Sequence, residues 1–324
     1  MSRPLLTIGL PVYNAAPFLR LALGSILAQT FSDWELVAVD DGSTDGSLAI
    51  LRQLRDPRVR VMDGGRNLGL AARLNQIVAE TRGEFVARMD ADDLMHPARL
   101  EKQLAALLDH PEITGLGCGL LVLGPSLAAT GVRTFPLDHQ AICADPLHQV
   151  LIAHATFLSR TAWLRQHGYQ EANRTCEDWE LWYSAYPQGR FANLPEPLYF
   201  YREFESFSLP HYLRAKLDLA ALQWRVRSKF GGGAASWAAL MQYVRAAVYL
   251  GGCAAGLEHY LIRRRSRPPD RAAIDLLNSA LPRILEHTAS AFGASAVQGI
   301  AAAPPAQTAP QPAGNLLGDA LAVE

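Results

Sequence analysis

Glu84-Phe85-Val86-Ala87-Arg88-Met89-Asp90-Ala91-Asp92-Asp93 decides the fold: a short, mostly apolar run that ends abruptly in three carboxylates. The run reads as a buried strand, and carboxylates clustered at a strand end repel one another unless a cation offsets them. Hard divalent ions such as Mg²⁺ or Mn²⁺ take oxygen ligands together with substrate phosphates, which a nucleotide diphosphate supplies. The alternative is an acidic loop in which Asp92 or Asp93, lying just before His96-Pro97, caps the next helix.

Working outward, three more apolar runs precede this one, Leu5 to Leu10, Glu35 to Val39 and Val59 to Met62, each followed by helical spacing near 17–29, 46–55 and 68–81; a fourth helix is expected over 97–109. Alternating strand and helix implies parallel strands joined by right-handed crossovers, hence an open α/β sheet covered on both faces. Such sheets bind ligands at the carboxyl ends of their strands. The polar clusters fall there: Tyr13-Asn14, Asp40-Asp41-Gly42-Ser43-Thr44-Asp45 and Asp90-Ala91-Asp92-Asp93. A carboxylate in the second cluster can accept the N3–H of a pyrimidine or hold a ribose hydroxyl, with Gly42 turning the backbone; the alternative is a turn in which Ser43, Thr44 or Asp45 caps the following helix. Neither a Walker lysine loop nor G-x-G-x-x-G follows the first strand, so P-loop kinase and dinucleotide-fold readings fall away.

These residues resemble the family 2 glycosyltransferases of GT-A fold. The matching stretches are Thr7-Ile8-Gly9-Leu10-Pro11-Val12-Tyr13-Asn14, Ser25-Ile26-Leu27-Ala28-Gln29-Thr30-Phe31 and Val39-Asp40-Asp41-Gly42-Ser43-Thr44-Asp45. They continue with Asn67-Leu68-Gly69-Leu70, Ala87-Arg88-Met89-Asp90-Ala91-Asp92-Asp93, Arg99-Leu100-Glu101-Lys102-Gln103 and Glu177-Asp178-Trp179-Glu180-Leu181-Trp182. The resemblance is collinear over roughly residues 5 to 202 and stops before the C-terminal helices.

It implies an α/β fold with a GT-A type nucleotide-binding open mixed sheet flanked by helices, and an inverting transferase that moves a sugar from a nucleotide diphosphate sugar to a hydroxyl of a glycan or lipid-linked acceptor. By position, Asp41 resembles the reader of the donor base, with the main chain of Pro11 to Tyr13 lining the same pocket, and Asp90 the residue near its ribose. Asp92 resembles the ligand of a divalent metal (Mn²⁺ or Mg²⁺) bridging the diphosphate. Asp178 resembles the general base, with Glu177 as its orienting partner. For Glu177-Asp178 the residues alone also allow a helix N-terminus whose acids complement the dipole. His154, followed here by Ala155 where the family has Pro, and Arg202, followed two positions on by Phe204 where the family has His, are candidate phosphate or acceptor contacts. Two other readings stand beside this one: a sugar-1-phosphate nucleotidyltransferase, whose Gly-rich loop Pro11-Val12-Tyr13-Asn14 does not supply, and a non-catalytic nucleotide-sugar-binding relative.

Composition narrows the field. The 324 residues are 49% hydrophobic and 19% charged with a formal charge of −1, enough for a large core and without the positive field that would hold nucleic acid. Cys118, Cys143, Cys176 and Cys253 stand apart with no C-x-x-C pair, which fits a reducing, cytoplasmic setting. The N-terminal apolar run is too short for a signal peptide, and Gln242 and Arg245 interrupt the longest apolar stretch, Ala238 to Leu257, so no membrane span is expected.

The expected organisation is a catalytic domain over 1–210, a helical region over 211–295 and a tail over 296–324, disordered in its Ala/Pro-rich part from Ala301 onward. In the helical region Leu213, Leu217, Ala220 and Trp224 are expected to share one buried face. Between Arg214 and Arg267 ten Lys or Arg face only Asp218 and Glu258 as acids. Either this is the solvated face of packed helices, or it draws the chain to an anionic membrane surface or a lipid-phosphate acceptor, a peripheral contact through 214–267 at the cytoplasmic face.

Overall fold

The computed structural model describes residues 3–172, 175–185, 188–203 and 207–298. Phe204 and the tail beyond residue 298 lie outside the described residues. The strands are β1 (Leu6–Val12), β2 (Trp34–Asp40), β3 (Val59–Asp63), β4 (Phe85–Arg88), β5 (Leu94–Met95), β6 (Gly115–Leu123), β7 (Ala129–Arg133), β8 (Leu158–Arg160) and β9 (Phe191–Arg202). They form one sheet in the order β3-β2-β1-β4-β8-β6-β9-β5, with β7 on β6. The first four expected strands pair in parallel, and the register Val12↔Asp40 brings the ends of β1 and β2 level. From β8 onward the sheet is mixed: β8 runs antiparallel to β4 and β6, whereas β9 is parallel to β6.

The helices are α1 (Ala16–Leu27), α2 (Ser47–Gln53), α3 (Leu70–Glu80), α4 (Arg99–Asp109), α5 (His139–Ile142), α6 (Thr161–His167), α7 (Glu177–Ala185), α8 (Leu209–Arg225), α9 (Arg227–Phe230), α10 (Gly232–Ala254), α11 (Glu258–Arg263) and α12 (Arg271–Phe292). Every position of β1 and β2 is buried because helices cover both sheet faces. Leu6, Ile8, Leu10, Leu36 and Ala38 point into a core shared with α1 and α4, while the alternate residues Val37 and Val39 meet Ile77 of α3 on the other face.

The stretch from His154 to Arg160 divides in two: His154–Thr156 is a 3₁₀ turn, closed by Thr156 Oγ1 and the Thr156 N–H on Ala153 O, and only Leu158–Arg160 joins the sheet. Asp92 and Asp93 do not cap α4. β5 intervenes, pairing with β9, and Ala98 occupies the N-cap position.

The C-terminal helices divide between two places. α12 packs on α1 and on the edge of the sheet, where Ile274, Leu277, Ala280 and Ile284 meet Leu21, Leu94, Leu121 and Phe200. The contact is close at Gly24: a Cβ there would lie 1.8 Å from Thr288 Oγ1 and 3.1 Å from the Ile284 carbonyl oxygen. Gly24→Val should therefore cost about 1–3 kcal/mol in chemical denaturation by forcing α12 off α1. A midpoint like that of the parent would contradict this packing.

α8 and α10 form a second layer against α7, with Leu219, Leu222, Ala235 and Ala238 around Cys176 and Tyr183. The face of α8 is rotated from the one expected. Gln223 turns inward to bond the Leu147 carbonyl and the Tyr183 hydroxyl, and Tyr212 stacks on Tyr249, which leaves Leu217 and Trp224 in solvent.

Candidate active site

The site forms where β1, β2 and β4 end. β4 carries one charged residue in an otherwise apolar run, Arg88, and its guanidinium grips the Asp90 carboxylate with both nitrogens: Nη2 lies 2.7 Å from Oδ1 and Nη1 2.9 Å from Oδ2. The pair is partly buried, so its geometry is held more firmly than a surface ion pair. The Tyr199 hydroxyl of β9 accepts the Asp90 N–H at 3.1 Å and fixes the turn. Below it the fully buried Arg99 donates to the Arg88 carbonyl and to Gln103 Oε1, and Asp93 accepts the Arg202 N–H at 2.7 Å. The acidic turn is thus tied to β4, α4 and β9.

Asp92 is different. Its carboxylate meets its own N–H and feels the charges of Arg88 and Arg202, yet burial together with the charge of Asp90 pushes it up to about 6. A carboxylate left in this state favours protonation or a cation. No group of three or more potential ligands stands together among the described residues. The buried, raised Asp92 carboxylate beside Asp90 fits an ion such as Mg²⁺ or Mn²⁺ held by one or two protein carboxylates with substrate oxygens completing its shell.

At the other end of the crevice Glu177 and Asp178 open α7. Asp178 accepts the Trp179 N–H at 2.8 Å, and Glu177 Oε1 lies 3.7 Å from Nδ1 of His154. Nε2 of His154 pairs with the Tyr169 hydroxyl at 2.9 Å. Burial, then Arg88, holds His154 well below its ordinary range, so the imidazole is neutral. Burial, then the charge of Asp178, pushes Glu177 up to about 8, while burial raises Asp178 against the opposing Trp179 hydrogen bond and Arg88. Arg88 therefore sits in field contact with both acidic groups, Asp90-Asp92 and Glu177-Asp178. Glu177 therefore holds a proton more readily than an ordinary glutamate, and the Asp178 carboxyl beside it is raised as well.

Asp41 lies across β1 from Asp90. Its Oδ1 accepts from the Leu68 N–H and from Nε of Arg73, and its Oδ2 accepts from the Gly69 N–H. A carboxylate offers about four acceptor directions, so one remains on Oδ2. Gly42 makes the turn: its φ is +72° and a Cβ would meet the Arg66 backbone at 2.7 Å. Tyr13, at the end of β1, is half exposed beside this pocket, and Asn14 Oδ1 accepts the Thr44 N–H. Asp45, with Gly46 at the cap position of α2, accepts N–H groups from Ala16 and Ser47 and so staples α1 to α2.

Residues 7–118 match the family model described as glycosyl transferase family 2. The protein EpsE of Bacillus subtilis, named as a glycosyltransferase, is 35% identical over 210 residues, which cover 62% of this chain and 74% of EpsE. The chain belongs to glycosyl transferase family 2. A chondroitin synthase of Pasteurella multocida is 28% identical over 60% of this chain, a segment that amounts to 20% of that protein. Among solved structures, the mannosyltransferase PcManGT of Pyrobaculum calidifontis, in complex with GDP-Man and Mn²⁺, shares the fold with a TM-score of 0.56 at 19% identity, over 93% of this chain and 87% of that one. The fold is of GT-A type.

In this family 2 chain the structure brings Asp90, Asp92, Glu177, Asp178 and His154 around Arg88, and sets Asp41, Pro11 and Tyr13 one strand away. Arg202 reaches the same crevice through its charge on Asp92, its guanidinium resting over Phe18. Sequence reasoning missed Arg88, Tyr169 and Tyr199 as site residues. The available signal for Arg88 was a lone cation in a strand that is otherwise buried hydrocarbon.

The protonated Glu177 predicts a pH effect on stability. Its folded pKa of about 8 is above its ordinary 4.5, so the folded state binds the proton more tightly and its stabilisation is lost as the pH rises toward 8. His154 works in the opposite direction only below its ordinary 6.5, where the unfolded chain gains the proton. Between pH 6.5 and 8 stability should therefore fall, by at most about 1.4 kcal/mol per pH unit for each proton released. Glu177→Gln should flatten the slope in thermal unfolding. An unchanged slope would show Glu177 already ionised.

Proposed function

We propose that this chain is an inverting, divalent-metal-dependent glycosyltransferase that moves a sugar from a nucleotide diphosphate sugar to a hydroxyl of a glycan or lipid-linked acceptor, in the synthesis of a cell-surface polysaccharide or glycoconjugate. The observation that carries this reading is the grouping of two carboxylate sets of opposite character around one buried arginine at the strand ends. One set contains Asp92, a carboxylate that burial and the charge of Asp90 push up to about 6. The other contains Asp178 beside Glu177, whose carboxyl burial pushes up to about 8. The GDP-Man and Mn²⁺ of PcManGT support the donor class and the metal, and the chondroitin synthase likeness supports the acceptor class.

In this mechanism the open acceptor direction of Asp41 Oδ2 takes an N–H of the donor base, against the β1 main chain at Pro11 to Tyr13. Asp90, oriented by Arg88, accepts from the ribose hydroxyls with the lone pairs that Arg88 leaves open. Asp92 would hold the divalent ion, which when bound offsets the charge of the diphosphate leaving group. Arg202 adds positive charge on that side, and His154, neutral, orients Glu177. Asp178 takes the proton of the acceptor hydroxyl as its oxygen attacks the anomeric carbon opposite the diphosphate, so the configuration inverts. A carboxylate base is weak, and most of its effect comes from position at the moment of bond formation. Glu177, holding its proton, keeps a second negative charge from competing for the acceptor proton.

Incubation with a panel of nucleotide sugars and Mn²⁺ tests the reading. Release of the nucleoside diphosphate with at least one donor, dependent on an added acceptor glycan or lipid, is expected. Release of pyrophosphate from a nucleoside triphosphate and a sugar phosphate would indicate a nucleotidyltransferase, and donor binding without release a binding protein.

A further inference from the structure

α10 presents two unlike sides. One buries Ala235, Ala238, Ala239, Gln242, Ala246 and Tyr249. The other places Trp237, Leu240, Val244 and Val248 in solvent at helical spacing, flanked by Tyr243 and Leu250; Trp237 is 58% and Tyr243 52% exposed. No charged residue interrupts this stripe, so α10 is a helix with a wet apolar side rather than a packed one.

Basic groups gather at both of its ends. Before it come the exposed Arg225, Arg227 and Lys229; after it, on α11, which packs back on α10 through Leu261 and Gly252, come Arg263 and Arg264. Each end also carries a largely exposed aromatic ring under an arginine: Arg227 stands 4.8 Å from the ring centre of Trp224, and Arg264 5.8 Å from that of Tyr260. Ten basic and two acidic residues make the segment 214–267 formally +8; since the chain is −1, the remainder is −9. The excess positive charge of the chain is therefore concentrated in the segment that carries the apolar stripe, with Arg225 paired to Glu180 and Arg265 to Glu203 outside it.

We propose that α10, with the basic ends supplied by α8–α9 and α11, is a docking surface for an anionic phospholipid bilayer, on which the helix lies in the plane of the interface. Aromatic and aliphatic side chains on one side with Arg and Lys around them are what such an interface takes up. Among the described residues no helix is long and apolar enough to cross a membrane, so this contact rests on the surface. A second copy of the chain fits less well, because it would set the basic ends of one α10 against those of the other. The surface argument stands independently of the donor chemistry proposed above.

Co-sedimentation of the full chain with phosphatidylcholine vesicles containing about a third phosphatidylglycerol tests it, against vesicles of phosphatidylcholine alone. Binding to the anionic vesicles is expected at low salt, weaker at about 0.15 M, with little on neutral ones. The charge reversal Arg263→Glu with Arg264→Glu should weaken binding more than tenfold, at about fivefold for each charge removed. Trp237→Ser with Val244→Ser, both on the exposed side, should weaken it at both salt concentrations, with an unchanged circular dichroism spectrum showing that the fold is kept. The proposal is overturned if the wild-type chain fails to sediment with anionic vesicles at either salt, if neither double variant changes the partition, or if the Trp237 and Val244 changes abolish a concentration-dependent dimer instead.

Discussion

Asp178→Asn is expected to lower the rate of transfer by about 10² to 10⁴ while donor affinity stays close to that of the parent. The amide keeps the shape of the side chain and can still accept the Trp179 N–H that Asp178 receives at 2.8 Å, but it takes no proton from an attacking hydroxyl. The loss is expected in kcat, since the interaction matters only as the acceptor oxygen attacks. Burial raises the Asp178 carboxyl, which makes it a stronger base than a surface aspartate. A collapse of donor binding with near-normal transfer per bound donor would put Asp178 in the donor site and move the search for the base to Glu177.

The second large effect is expected at Asp92. Asp92→Asn should remove Mn²⁺-dependent donor binding and lower activity by about 10³-fold or more, the several kcal/mol that a bound ion contributes to the leaving charge. Without metal, the same substitution should leave thermal stability unchanged or raised above pH 6, because the native carboxylate is buried beside Asp90 and, despite Arg88 and Arg202, is pushed up to about 6. Activity lost and stability kept is the signature of a residue retained for its ligand. In isothermal titration with a nucleoside diphosphate, wild type should bind more tightly when Mn²⁺ is present and the variant should not respond to it. A variant that binds as tightly as wild type with Mn²⁺ would move the ion elsewhere.

Much of this site is legible in the sequence because its first half depends on local pattern. β1, β2 and β4 are runs buried on both faces, so their apolar character survives any detail of packing, and a carboxylate directly after such a run falls at the carboxyl edge of the sheet. Asp41, Asp90 and Asp92 are placed by that rule alone. What was hidden depends on partners far away in the chain. The antiparallel course of β8 and the pairing of β6 with both β8 and β9 are not encoded in any one segment, and neither is the 3₁₀ turn at His154, which is closed by side-chain and main-chain bonds to Ala153. The α8 face was misread because hydrophobicity was taken as burial. A glutamine, Gln223, faces inward where it finds two partners, and Trp224 faces water beside Arg227. Arg88 was passed over because its role is visible only once Asp90 and Glu177 stand on either side of it in space.

The configuration of the new glycosidic bond tests the whole arrangement at once. With an α-configured nucleotide sugar that the chain accepts, the one-bond carbon–proton coupling at the new anomeric centre, read by NMR, should report a β linkage if Asp178 activates the acceptor on the side opposite the diphosphate, as proposed. An α linkage would contradict direct displacement with Asp178 as base.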